Sequence, residues 1–170
     1  MKRAFEAVNS LFGATLTSLW LFVLLGMMLG STPAQAQVRA YVTASADGAV
    51  SVTDVATRTF VADVKVGRAP VAVAVTPDGT RAYVANAGSN SVTVINTATN
   101  TVLTSVSVGA GPAGVAITPN GTRAYVTNAA GRSVSVIDTS TNKVLKTIPV
   151  GNTPKGVAIT RAIREDIKVP

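Results

Sequence analysis

Two of the side chains most often used for chemistry, Cys and His, occur nowhere in these 170 residues. Disulfides, thiolate and imidazole metal sites, haem held by either ligand, and Ser-His-Asp or Cys-His nucleophiles are therefore excluded. Carboxylates are sparse as well. Asp47, Asp54, Asp63, Asp78 and Asp138 are the acids of the central stretch, none adjacent to another, and Glu165-Asp166 follows near the end. General acid–base work by paired carboxyl groups has no basis in this spacing. Asp78 and Asn120 lie in Pro-Asp-Gly and Pro-Asn-Gly segments, where short polar side chains stabilise a turn through their own backbone. No D-x-D-x-D-G loop for Ca²⁺ is present. No glycine-rich loop opens a helix to cradle phosphate. These residues predict a protein that is not an enzyme and carries no metal or other cofactor. Binding is the chemistry left to it, through polar and basic side chains on loops.

The elements that must position those loops follow from an internal repeat. Gly67, Gly109 and Gly151 recur at a step of 42 residues, as do Pro70, Pro112 and Pro154. Tyr41, Tyr83 and Tyr125 keep the same step, and so do Arg39, Arg81 and Arg123, and Asp54, Asn96 and Asp138. Val73–Val84 and Val115–Val126 match almost residue for residue. A unit of this length lies in the range of a four-stranded propeller blade. The second unit predicts strands at Val71–Thr76, Arg81–Ala85, Ser91–Asn96 and Thr101–Val108, the third alternating Val92 and Val94 with Thr93. Pro77-Asp78-Gly79, Asn86–Asn90 and Thr97–Asn100 are the turns between them, and Gly109–Pro112 crosses to the next unit. Helical periodicity is absent. The predicted class is all-β: four-stranded antiparallel blades, about three blades' worth of a partial propeller, preceded by a signal peptide helix. The Tyr and Arg demanded by every unit read as blade-to-blade packing, and Asp54, Asn96 and Asp138 as caps of the turn after strand three.

In such blades the loops from strand four to strand one, and from strand two to strand three, emerge on a common face. The first set carries Arg68 and Lys155, the second Asn86, Ser89, Asn90, Asn128 and Arg132. These seven are the candidate residues for ligand or partner binding. The face is polar and net basic, and its charge varies between units (Arg68, Ala110, Asn152), as a site would and a scaffold would not.

Tyr125-Val126-Thr127-Asn128 reads Y-V-T-N, with Tyr83-Val84-Ala85-Asn86 and Tyr41-Val42-Thr43-Ala44 as degenerate copies. Together with the V-G-x-x-P and T-P-[DN]-G elements, the stretch 37–160 resembles the YVTN β-propeller repeat family of exported and cell-surface proteins. The resemblance implies a propeller and little about activity, since one fold hosts many functions.

Residues 1–36 are of a different composition. Lys2 and Arg3 precede an apolar run from Leu11 to Leu29, and Ala34-Gln35-Ala36 is a small-residue cleavage site. This predicts a secretory signal peptide removed after Ala36, and a periplasmic, extracellular or cell-surface location. Uncleaved, the same run is about long enough to anchor the chain in a bilayer. Removing Lys2, Arg3 and Glu6 takes the formal charge from +7 to +6. Nucleic acid is disfavoured as a partner: Tyr41, Phe60, Tyr83 and Tyr125 are the aromatics left, too few for a stacking platform. A protein or a small ligand is the expected partner.

The register of the ends matters. The repeat enters at strand two, near Arg39, and leaves after a strand one, Gly156–Thr160, while 161–170 matches no unit. Twelve strands are expected, with Gly156–Thr160 available to complete the first blade. Closed propellers have about 4–8 blades. Three readings stay open: a truncated part of a longer propeller, two chains making a six-bladed ring, or an open arc with exposed apolar faces and strand edges. On function, the leading expectation is a binding scaffold working through its loop face. A fragment of a lactonase-type or quinoprotein-like propeller enzyme and an adhesive cell-surface repeat are the alternatives.

Overall fold

The computed structural model describes residues 37–160. The segment expected to be a signal peptide, residues 1–36, and the 161–170 tail lie outside the described residues. Eleven strands form three antiparallel sheets. The first blade has β1 (Arg39–Ala44), β2 (Ala49–Asp54) and β3 (Thr59–Lys65) in the order β1-β2-β3. The second has β4 (Pro70–Val75), β5 (Arg81–Asn86), β6 (Ser91–Asn96) and β7 (Thr101–Ser107). The third has β8 (Pro112–Ile117), β9 (Arg123–Asn128), β10 (Ser133–Asp138) and β11 (Lys143–Pro149). In the second and third blades each strand pairs with its neighbours in sequence, so every blade is a meander. Val and Thr at these positions suit a pleated surface, and the Pro-Asp-Gly and Pro-Asn-Gly turns supply the tight reversals. Gly79 and Gly121 hold φ of 71° and 72° there, a conformation that carries no steric penalty for glycine.

The repeat extends to irregularities. The register between strands three and four shifts between Val52 and Thr53, between Val94 and Ile95, and between Val136 and Ile137, the same place in each blade, and the second and third blades share a further shift after Pro70 and Pro112. A bulge adds local twist and bends its strand.

The core lies between blades. Val50, Val52 and Val64 of the first blade, with Tyr41 beside them, pack against Ala82, Val84 and Ile95 of the second. Tyr83, Val92, Val94 and Val106 of the second pack against Ala124, Val126 and Ile137 of the third. Each fully buried Val or Ile contributes about 1.5–3 kcal/mol. The middle blade is covered on both faces, so β5 and β6 are buried almost throughout, whereas every residue of β11 is exposed.

The repeated Arg and Tyr join the blades. Arg39 Nη1 donates to the Thr97 carbonyl at 2.8 Å, and the Tyr41 hydroxyl lies 3.4 Å from both that carbonyl and Asn100 Oδ1. One unit later the Arg81 guanidinium donates to the Thr139 carbonyl, and the Tyr83 hydroxyl to Asn142 Oδ1 at 2.8 Å. Strand two of the first and second blades thus clasps the turn after strand three of the next. Burial pushes both tyrosine hydroxyls above their ordinary pKa.

One expectation is corrected. Gly156–Thr160 forms no strand, and the first blade has three strands, not four. The segment runs alongside the third blade, where Thr127 Oγ1 donates to the Lys155 carbonyl at 2.7 Å. The whole second and third blades separate it from β1, so it has no strand two to pair with within this chain.

Candidate functional site

The loop face predicted from the sequence exists as a tied set of loops. The crossover after β3 is bonded to the loop after β5: Gly88 N donates to the Arg68 carbonyl at 3.0 Å, Ala87 N to Ala69 O at 2.9 Å, and Arg68 N to Ser89 Oγ at 3.2 Å. The next crossover repeats this, with Ala129 N donating to Gly111 O and Gly131 N to Ala110 O. Asn90 links across, its Oδ1 accepting from Gly111 N at 2.8 Å. The exposed side chains of these two crossovers and of the loops bonded to them therefore project from a braced backbone. Asn90 and Arg132 occupy the same repeat position and share a left-handed backbone, φ 51° and 48°, where the first unit has Gly48.

The seven candidates divide. Arg68, Asn90, Arg132 and Lys155 are exposed, and Ser89 is half-buried. Asn86 and Asn128 are fully buried, which removes them from any surface for a partner. Their amides donate inward, Asn86 to Ser91 and Thr93 hydroxyls at 3.2 and 2.9 Å, Asn128 to Ser133 and Ser135 at 3.0 and 2.9 Å. Their Oδ1 atoms have no protein partner. Each amide lies directly under the glycine of the crossover: a Cβ on Gly67 would fall 2.7 Å from the Asn86 amide, and one on Gly109 2.6 Å from Asn128 Cγ. The Asn and the Gly are one structural device, a polar plug beneath a backbone that has room for no side chain. The paired recurrence of Gly67 with Asn86 and of Gly109 with Asn128 was the available signal, since a site rarely repeats in every blade.

The opposite end carries a feature that the sequence did not reveal. A cleft of about 480 Å³ opens between the second and third blades, lined by Pro77, Asp78, Asn120, Thr122, Asp138 and Ser140 among others. Its carboxylates are engaged. Asp78 accepts from Thr76 Oγ1 and Thr80 N, at 2.5 and 3.0 Å. Asp138 Oδ1 accepts from Ser140 N and Thr141 N at 2.9 and 3.0 Å. The Ser140 hydroxyl and the Thr141 amide hold Asp138 down at about 2, and the Thr76 hydroxyl and Thr80 amide hold Asp78 below its ordinary value. A carboxylate held ionised is a poor general acid. Asp54 caps its own turn through Thr57 N at 2.8 Å, as the sequence predicted for this position. Among the described residues no group of three acids gathers to hold a metal.

The blades, their order and their joints are those of a β-propeller. A family model described as a YNCE-like β-propeller matches residues 89–164. No curated protein sequence matches the chain. Among solved structures, hydrazine synthase of Kuenenia stuttgartiensis is similar with a TM-score of 0.67 and 30% identity, over 69% of this chain and 34% of that one. Dihydro-heme d1 dehydrogenase NirN in complex with DHE gives 0.61 and 21%, over 74% and 28%. Apo AztD from Citrobacter koseri gives 0.59 and 17%, over 71% and 34%. The last two likenesses show the fold alone. The chain spans about a third of the length of the structures it matches. It is a β-propeller repeat protein with a partial set of blades.

Proposed function

We propose that this chain is an exported, non-enzymatic propeller segment of the YVTN type that binds an acidic protein or small-molecule partner through its loop face. The observation that carries the reading is that Arg68 and Arg132 are exposed on loops tied by backbone hydrogen bonds, and Lys155 is exposed where Thr127 holds its carbonyl, all at positions where the repeat otherwise varies. A rigid backbone lowers the ordering cost of binding, and cations sharing a face favour an anionic partner. Export is supported by the apolar run and the Ala34-Gln35-Ala36 site. N-terminal sequencing of the secreted protein should start at Gln37.

The test uses dextran sulfate as a polyanion probe. Wild-type chain should bind it in a salt-sensitive manner, and the triple variant Arg68→Ala/Arg132→Ala/Lys155→Ala should lose most of that binding while a Lys143→Ala/Lys146→Ala variant retains it. Equal loss in both variants would reduce the effect to net charge and defeat the reading.

A second reading is favoured by hydrazine synthase among the similar structures: the blades would be a fragment of the propeller of a larger enzyme. Any catalytic His or Cys would then have to come from outside residues 37–160, which hold neither.

A further inference from the structure

Among the described residues the first blade has no inner strand, and residues 154–160 carry an inner-strand sequence that pairs with no sheet. Inner strands pair in a conserved register inside the chain: Val73 faces Val84 and Val75 faces Ala82 in the second blade, Val115 faces Val126 and Ile117 faces Ala124 in the third. One step of the repeat further, Val157 and Ile159 would face residues at the positions of Val42 and Ala40. Val42 shows that the leading face beside that edge is also uncovered, since Val84 and Val126 are buried against the blade that precedes theirs. Val42 is 55% exposed, while Val84 and Val126, its counterparts in the completed blades, are 0% exposed. The supply and the demand sit at opposite ends of the described blades, and three blades are too few to bring them together.

We propose that residues 154–160 of one copy complete the first blade of a second copy, and the reverse, giving a two-fold ring of six blades. Both copies present the same two surfaces, so one kind of joint formed twice closes the assembly and pairs the open edge of β1. Six blades fall within the range of closed propellers.

The rest of the joint is present in both halves. On the trailing face of the third blade, Arg123 and Tyr125 are the third instance of the blade clasp and have no turn to hold among the described residues. Ile148 and Val150 on that blade are 37% and 39% exposed. On the leading face of the first blade, the backbone at Val55 stands where Thr97 and Thr139 offer their carbonyls, and Asp54 caps that turn as Asn96 and Asp138 cap theirs. Two positions depart from the internal joints. Thr53 stands where the others have Ile95 and Ile137, and Arg58 stands where Asn100 and Asn142 accept from tyrosine. Arg58 would meet Arg123 of the partner copy. This joint is therefore weaker than the internal ones, and the dimer it forms dissociates on dilution.

The chain has no cysteine, which makes the register directly testable. Full-length chain is expressed with its own N-terminal segment and purified after export as two single variants, Val42→Cys and Val157→Cys. On mild oxidation, the mixture of the two should give a disulfide-linked dimer, and Val42→Cys mixed with Lys143→Cys should not. Light scattering should show wild-type protein as a dissociating dimer. Val42→Asp should be a monomer with an unchanged circular dichroism spectrum, since this side chain is exposed in the single chain. Arg58→Asn should tighten the dimer about fivefold or more, by restoring an acceptor and removing a like charge. A wild-type chain that stays monomeric at every concentration, an equal cross-link yield from the Lys143→Cys control, or a Val42→Asp variant that still dimerises would each overturn the proposal. None of these readouts depends on polyanion binding, so they stand or fall apart from the loop-face reading.

Discussion

Tyr83 and Tyr125 share a sequence context: Arg-Ala-Tyr-Val precedes Asn three residues after the Tyr in both, on strand two of consecutive blades. Tyr83 is wholly buried and donates to Asn142 Oδ1 at 2.8 Å. Tyr125 is half-buried and has no such partner among the described residues. The difference comes from what stands beside each blade. Blade sequence determines that a tyrosine lies on strand two, pointing to the next blade; only the presence of a next blade turns it into a clasp. Stability in this architecture resides in nearest-neighbour interfaces, as in other stacked repeats.

The widest separation between the two residues should come from truncation. Tyr83→Ala is expected to cost about 3–5 kcal/mol by opening a cavity in a closed joint, and Tyr125→Ala about 1 kcal/mol or less in the dissociated chain. Urea midpoints measured well below the concentration of any self-association would decide this, and equal losses would sink the comparison. Next in size are the glycines. Gly67→Ala and Gly109→Ala drive a methyl into the Asn86 and Asn128 amides and should lose about 1–3 kcal/mol. Gly151→Ala meets nothing within 4 Å and should be within about 0.5 kcal/mol of wild type. A third measurement removes only the hydroxyl. Tyr83→Phe should cost about 1 kcal/mol and Tyr125→Phe nothing, since only the first donates a buried hydrogen bond.

The smallest effect concerns acid. The turn after β6 is capped by Asn96 and the same turn after β10 by Asp138, a comparison of one cap that cannot titrate with one that does. Asp138 is held at about 2, and Asp54 and Asp78 are also lowered by hydrogen bonds that favour their ionised forms. Groups whose pKa falls on folding add stability above their unfolded value, about 4, and lose it as pH drops through the folded one. The melting temperature should be level from neutral pH to about 4 and decline toward pH 2. Asp138→Asn should make that decline shallower. A variant with an unchanged acid limb would show that the cap contributes no proton linkage.

Much of the fold was legible in the sequence because the propeller repeat imposes the same demands three times. The predicted strand Ser91–Asn96 is β6 to the residue, and Arg81–Ala85 falls one short of β5. The turn roles of Asp54, Asp78 and Asp138 were readable as well, because Asx capping is local chemistry. The Arg and Tyr clasps were legible as packing residues, though not their acceptors on the turn of the next blade. The candidate site was readable only in part. Arg68, Asn90, Arg132 and Lys155 reach solvent, but Asn86 and Asn128 do not, since loop position and polarity give no measure of depth beneath a neighbouring backbone. The cleft lined by Asp78 and Asp138 had no sequence signal at all, because its walls come from two blades whose spacing is set by side-chain packing.

What the sequence determined by itself is the blade: the strand periodicity, the turns that demand Gly, Pro and Asx, and the residues recurring every 42 positions, all of which act over a few residues of chain. What only the tertiary structure decided is how each blade is used. Whether a valine such as Val42 or Val84 is exposed or buried, whether a tyrosine clasps, and whether residues 154–160 find a strand to pair with all depend on surfaces that are brought together, or kept apart, by the number of blades in the arc. Burial and hydrogen bonding between blades act across tens of residues of separation, and no local pattern encodes their outcome at the two ends.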